Sequence, residues 1–164
     1  MDTSSATLFP EPPVIRFTPQ EKECSCGTRL SVQKTRCKKV FKMTGPLIAH
    51  ETIRECPVCS KVFDSQTLLQ LVPARSNVSY EVMVFVGRAI YQRHRTAQEI
   101  RAELAVCNVF LSLSEINYLG RKFILYLARA HQQAIPRIRE TMSMAGGYML
   151  HLDATHAGDA PALM

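Results

Sequence analysis

Four cysteines in two close pairs limit what this chain can become more than any other feature. Cys24 and Cys26 stand in "CSCG", Cys56 and Cys59 in "CPVC", and roughly thirty residues separate the pairs. Four thiolates spaced in this way can close a tetrahedron around a structural Zn²⁺, with bonds of about 2.3 Å. The two-residue gap of "CPVC" lets a single turn supply two sulfurs. The one-residue gap of "CSC" is tighter, and Gly27 directly after it permits the sharp turn required. The competing reading is four reduced, unconnected thiols. A β-rich module of about fifty residues has little core of its own, which favours ligation. Cys37, in "TRCKKV", and Cys107, after an apolar stretch, read as bystanders. "MDTSSATLFPEPP" has neither the basic segment nor the apolar segment of a secretory signal, so a disulfide framework is disfavoured and a cytoplasmic location is expected. No apolar run reaches the length of about 18 residues that a membrane helix needs, so no membrane partner is expected.

The rest of the chain divides by its periodicity into a multi-module α+β protein. Residues 1–23, with Pro10, Pro12, Pro13 and Pro19, read as a flexible tail, although "VIRF" can pair as an edge strand. Residues 24–75 show short β-rich pieces around a turn signal at Gly45–Pro46, the pattern of a small zinc ribbon. "LVPARSNV" is a hinge. Residues 76–145 are helical, forming an all-α helix-turn-helix bundle. Residues 146–164, "GGYMLHLDATHAGDAPALM", read as a buried strand, a turn and the start of a second strand.

The helices announce their own ends. Ser79 can cap the first, with Glu81 suited to its N-terminal dipole and Val82, Phe85, Val86, Ala89 and Ile90 on one face. Thr96 with Glu99 and Ser112 with Glu115 each form a capping box. Ile100 and Leu104 line the buried stripe of the second helix, and Asn108 suits a left-handed terminator after it. Ile116, Leu119, Phe123, Ile124 and Leu127 are expected to form the buried face of the third. Pro136 is expected to kink or divide the helical segment after it, and Gly146–Gly147 to end that segment.

Charge is uneven: residues 1–23 carry net −2, residues 24–75 net +6, residues 76–145 net +4 and residues 146–164 net −2. The positive middle can neutralise phosphates. Arg29, Lys34, Arg36, Lys38, Lys39 and Lys42 form a basic ladder, part of it along one strand face, that can track a double-stranded DNA backbone. The alternative is a solvated strand face. The capped helices at residues 96–106 and 113–131 have helix-turn-helix spacing. Ser114, Asn117, Tyr118, Arg121 and Lys122 then face base edges or phosphates, with Asn117 suited to adenine and Arg121 to guanine. An ordinary helical bundle with a polar surface is the alternative. Asp153 arrives where its strand should end. There it can hold Mg²⁺, or it can simply cap the next turn.

These features in this order resemble the N-terminal part of a bacterial insertion-sequence transposase of the DDE type. The resemblance is carried by "RLSVQKTR", "IAHETIRECPVCSKVF", "YEVMVFVGRAIYQRHRTAQEIRAEL", "LSEINYLGRKFILYLARAH" and "LHLDAT". It implies an RNase H-like domain beginning near Gly146, with Asp153 as the first acid of a two-metal triad and Asp159 outside that triad. The other two acids of such a triad would lie beyond Met164. The resemblance therefore implies a truncated catalytic domain, Mg²⁺ only for a complete one, and no cleavage by this chain alone. It also implies duplex DNA as partner and a possible homo-oligomer. The main alternative is a zinc-ribbon and helix-turn-helix transcriptional regulator without enzymatic activity. A further one is a protein-binding zinc module.

Overall fold

A computed structural model describes residues 11–147 and, beyond them, the backbone of two short strands. The fold is mixed α+β, with a small mixed sheet and, among the described residues, four helices. The chain divides into two compact units, Met1–Leu125 and Tyr126–Met164.

In the first unit a long antiparallel hairpin sets the frame. Its arms are β2 (Ser31–Lys42) and β3 (Gly45–Glu55). β1 (Val14–Phe17) runs parallel to β3 on its other side, and β4 (Val62–Phe63) pairs with the end of β3. "VIRF" is thus an edge strand. The sequence signal at Gly45–Pro46 misplaces the turn by two residues: Met43 and Thr44 make it, and Pro46 pairs with Phe41 inside the hairpin. The strand tolerates this proline for a simple reason. Ile48 donates its N–H to Pro13 on the β1 side, so an N–H at position 46 would point the same way, past the end of β1.

β3 alternates buried and half-buried residues along its whole length, because one face is covered. The cover is α1 (Gln66–Leu71), capped by Ser65, whose Leu68 packs with Val72 on Val40, Leu47 and Ala49. Each such side chain contributes at most about 2 kcal/mol by leaving water. After residues 73–77 the chain returns to the outer edge of β2: the Phe41 amide donates to Asn77 O, and the Ser79 amide donates to Phe41 O. Ser79 then caps α2 (Tyr80–Tyr91).

α2, α3 (Ala97–Val106) and α4 (Leu113–Met144) build the second and larger core. Val82, Val86, Ile100, Leu104, Val109 and Ile116 are fully buried there, and Phe85 and Ile90 pack against them from the edge. Thr96 and Glu99 close a reciprocal capping box, as do Ser112 and Glu115. α3 ends with Asn108 at φ 59°. The Asn108 amide bonds Ala105 O and the Val109 amide bonds Leu104 O, so both of these carbonyls gain partners. α2 and α4 cross closely at Gly87. A Cβ there would lie 2.1 Å from Phe123 Cγ, and the Phe123 ring stacks on Tyr91 with centroids 6.5 Å apart.

One sequence expectation for α4 fails. Ile124 and Leu127 are 40% and 53% exposed, not buried. Ile124 comes seven residues after Asn117, about 20° away around the helix, so it falls on the polar side and not on the face of Ile116, Leu119 and Phe123. Of the two outcomes expected at Pro136, a kink or a division, division does not occur: the helix continues to Met144. A proline ring costs the bond to the carbonyl four residues back, here Gln132, and this exposed helix absorbs the loss. Gly146 and Gly147, at φ 80° and 102°, end it as expected, their amides bonding Ser143 O and Met142 O. In the second unit β5 (Ala154–Ala157) and β6 (Ala160–Leu163) pair antiparallel. Asp153 lies outside the described residues.

Candidate metal centre and basic surfaces

The two cysteine pairs sit at the open end of the hairpin, one before β2 and one after β3. Each is folded into a tight turn by its own backbone. In the first, the Gly27 amide bonds Cys24 O and the Cys24 amide bonds Thr28 O, with Gly27 at φ 79°. In the second, the Ser60 amide bonds Cys56 O and the Cys56 amide bonds Lys61 O, with Ser60 at φ 55°. The turns share one plan: a left-handed residue comes directly after the second cysteine. Glycine performs this cheaply at position 27, whereas serine at 60 carries a conformational cost of about 1 kcal/mol. The first turn is closed by the Glu23–Arg29 bridge and the second by β4.

This folding brings the Cys24, Cys26, Cys56 and Cys59 sulfurs within 4.8 Å of one another. Cys24 Sγ lies 3.5 Å from Cys59 Sγ, and Cys26 Sγ lies 3.4 Å from Cys56 Sγ. A tetrahedron with metal–sulfur bonds of about 2.3 Å has edges of about 3.8 Å, so the set can hold a metal ion. Cys24 and Cys56 are buried against Leu30 and Phe63, while Cys26 and Cys59 face solvent.

The four thiols are electrostatically unequal. The Thr28 hydroxyl and amide hold Cys26 down at about 6. The Cys26 amide draws Cys24 down, against its burial. The Lys61 amide pulls Cys59 down too, but the neighbouring Cys24 and Cys56 sulfurs and burial outweigh it and push Cys59 up to about 11. Crowded sulfurs of this kind invite a cation that neutralises them together. Cys37 is exposed on β2 and Cys107 comes directly after α3, both away from the cluster.

The basic ladder does not form one surface. Pairing with β3 puts Lys34, Arg36, Lys38 and Lys42 opposite Ile53, Glu51, Ala49 and Gly45, on the face that α1 covers, and Lys39 opposite Ile48 on the other face. Arg36 Nε donates to Glu51 Oε2 at 2.7 Å, which raises the Arg36 pKa further, and Lys42 lies 3.8 Å from Glu81. Lys38 donates to Ser76 O. Lys39 sits 5.4 Å over the Phe41 ring. Arg29 and Lys34 are exposed. Sequence reasoning missed Glu51, which is 1% exposed and accepts bonds from Arg36 and the Ser65 amide. Its one legible signal was a charge at an inward position of an alternating strand.

On α4 the polar residues do share a surface. Ser114, Asn117, Tyr118 and Arg121 are exposed. At about 100° per residue they form one stripe, opposite Ile116, Leu119 and Phe123. Lys122 lies beside the stripe, 5.7 Å over the Tyr118 ring. The Glu115 carboxylate is drawn back into the cap, where it accepts the Ser112 amide at 2.8 Å. The link from α3 is extended, with Val109 and Leu111 buried and Phe110 pointing out. No protein-family model, no curated protein and no solved structure matches this chain. Among the described residues no helix is long and apolar enough to cross a membrane.

Proposed function

We propose that residues 24–125 are a duplex-DNA-binding module in which a Zn²⁺-closed ribbon braces a helix-turn-helix, and that the chain is the end-recognition portion of a DDE-type transposase. The stripe on α4 carries the DNA reading. Its N-terminal half presents Ser114, Asn117, Tyr118 and Arg121 opposite the core, and its one nearby carboxylate, Glu115, is committed to the cap. Asn and Arg so placed can read adenine and guanine edges. All-sulfur ligation at the hairpin end suits zinc over harder cations. The transposase assignment rests on the resemblance alone, including the role it gives Asp153 in holding Mg²⁺.

Fluorescence anisotropy with duplex DNA tests the binding. Affinity is expected to fall steeply with salt, by about 0.9 log unit per log unit of salt for each phosphate contacted. Arg121→Ala is expected to cost about 1–3 kcal/mol. Indifference to duplex DNA at low ionic strength would refute the reading. The transposase assignment is tested separately, by selection of bound sequences: the intact protein should enrich the terminal repeats that flank its own coding region. Enrichment of a promoter site instead would favour the regulator.

A further inference from the structure

We propose that the cavity between the covered face of the sheet and residues 73–77 is a seat for one phosphate group, held by Lys38, Arg36 and Arg75. The cavity measures about 280 Å³, and Glu51, Asp64 and Ser76 also line it. A water occupies about 30 Å³, so a tetrahedral oxyanion fits with room for its hydration.

Charge decides what enters. Glu51 spends both oxygens on the protein, Oε2 on Arg36 and Oε1 on the Ser65 amide, so its charge is already matched. Asp64 lies 4.0 Å from Arg36 Nη2 and is nearly half exposed. An ammonium has three donors, and Lys38 gives one to Ser76 O at 3.0 Å, a neutral acceptor. Burial lowers the Lys38 pKa despite the opposing pull of Glu51, the behaviour of a cation short of counter-charge. Arg75, at φ 58°, adds a third cation on the rim. Three cations face two carboxylates, one of them already satisfied, and the shortfall is one negative charge with several acceptor oxygens. Phosphate has that chemistry, either free or as a phosphodiester of nucleic acid. The seat stands on the cavity and does not require the DNA reading.

The metal-loaded chain can be titrated with inorganic phosphate and, separately, with a short duplex, tracking the amide signals of residues 74–77 and the Lys38 ammonium by NMR. Saturating shifts with phosphate at about millimolar concentration are expected, and none with chloride at matched ionic strength. Lys38→Met is expected to weaken the effect about tenfold or more while the signals of α2, α3 and α4 stay in place. Arg75→Ala, on an exposed side chain, should weaken it about threefold. If the duplex moves the same signals and Lys38→Met flattens its salt slope by about one unit, the phosphate is a phosphodiester. If only inorganic phosphate moves them, it is a free phosphoryl group. Silence of these signals toward both ligands, or shifts unchanged in both variants, would overturn the seat. Duplex binding lost in Arg121→Ala with a silent cavity sinks the seat and leaves the DNA reading intact. Saturation by phosphate without any duplex binding does the reverse.

Discussion

The two ends of the first unit are held together by different physics. At the cysteine end the buried cluster consists of Cys24, Leu30 and Cys56, with Phe63 beside them. In the helical bundle eleven buried residues form one continuous cluster. By area, the bundle can stabilise itself, whereas a three-residue cluster cannot offset the ordering of two turns and their strands. Packing therefore specifies the bundle, whereas at the cysteine end backbone geometry gathers four thiols that can hold a metal ion.

Removing the metal should separate the two most sharply. Ligation in small zinc modules is worth about 10–16 kcal/mol, comparable to the whole stability of a domain. Chelation, or Cys56→Ser, is expected to abolish hydrogen-exchange protection around residues 22–32 and 54–63 while protection in α2, α3 and α4 persists. Equal loss in both regions would mean that one cooperative core holds both ends. A packing change should act the other way. Gly87→Ala drives a Cβ to 2.1 Å from Phe123 Cγ, within a ring that cannot swing aside freely. Overpacking of this kind costs about 1–3 kcal/mol. Thermal unfolding should show that loss, with metal stoichiometry unchanged. The smallest effects lie in the turns and carry opposite signs. Ser60→Gly should stabilise by about 0.5–1 kcal/mol by relieving φ 55°, and Gly27→Ala should cost a similar amount. Nothing lies within 4 Å of a Cβ at position 27, so that cost is purely conformational. Denaturant titration of the loaded protein against its chelated form measures both.

How much the sequence revealed depends on the range of the interactions involved. The caps at Ser79, Thr96 and Ser112 and the terminator at Asn108 could be read because donor and acceptor lie within a few residues of each other. The cysteine quartet could be read because sulfur has few other uses in such spacing. Arg36 could not be placed, since its ion pair depends on a strand register joining it to Glu51, fifteen positions away. Periodicity read loosely put Ile124 with the core residues, although it stands seven positions after Asn117 and so on the solvent side of α4. The turn at Met43–Thr44 was hidden for the same kind of reason as Arg36. Whether Pro46 can sit in a strand depends on where β1 stops.

Ser79 has a consequence for how the unit comes apart. Its amide is bonded to Phe41 at the far end of β2, and its hydroxyl holds the first turn of α2. The hairpin is thus anchored at one extremity by the helices, and the four thiols that can hold an ion lie at the other, about 35 Å away along the strands. Loss of an ion held there would free only one extremity. The ladder should then unzip from the cysteines inward and halt before Phe41, leaving a partly opened hairpin still attached to an intact bundle.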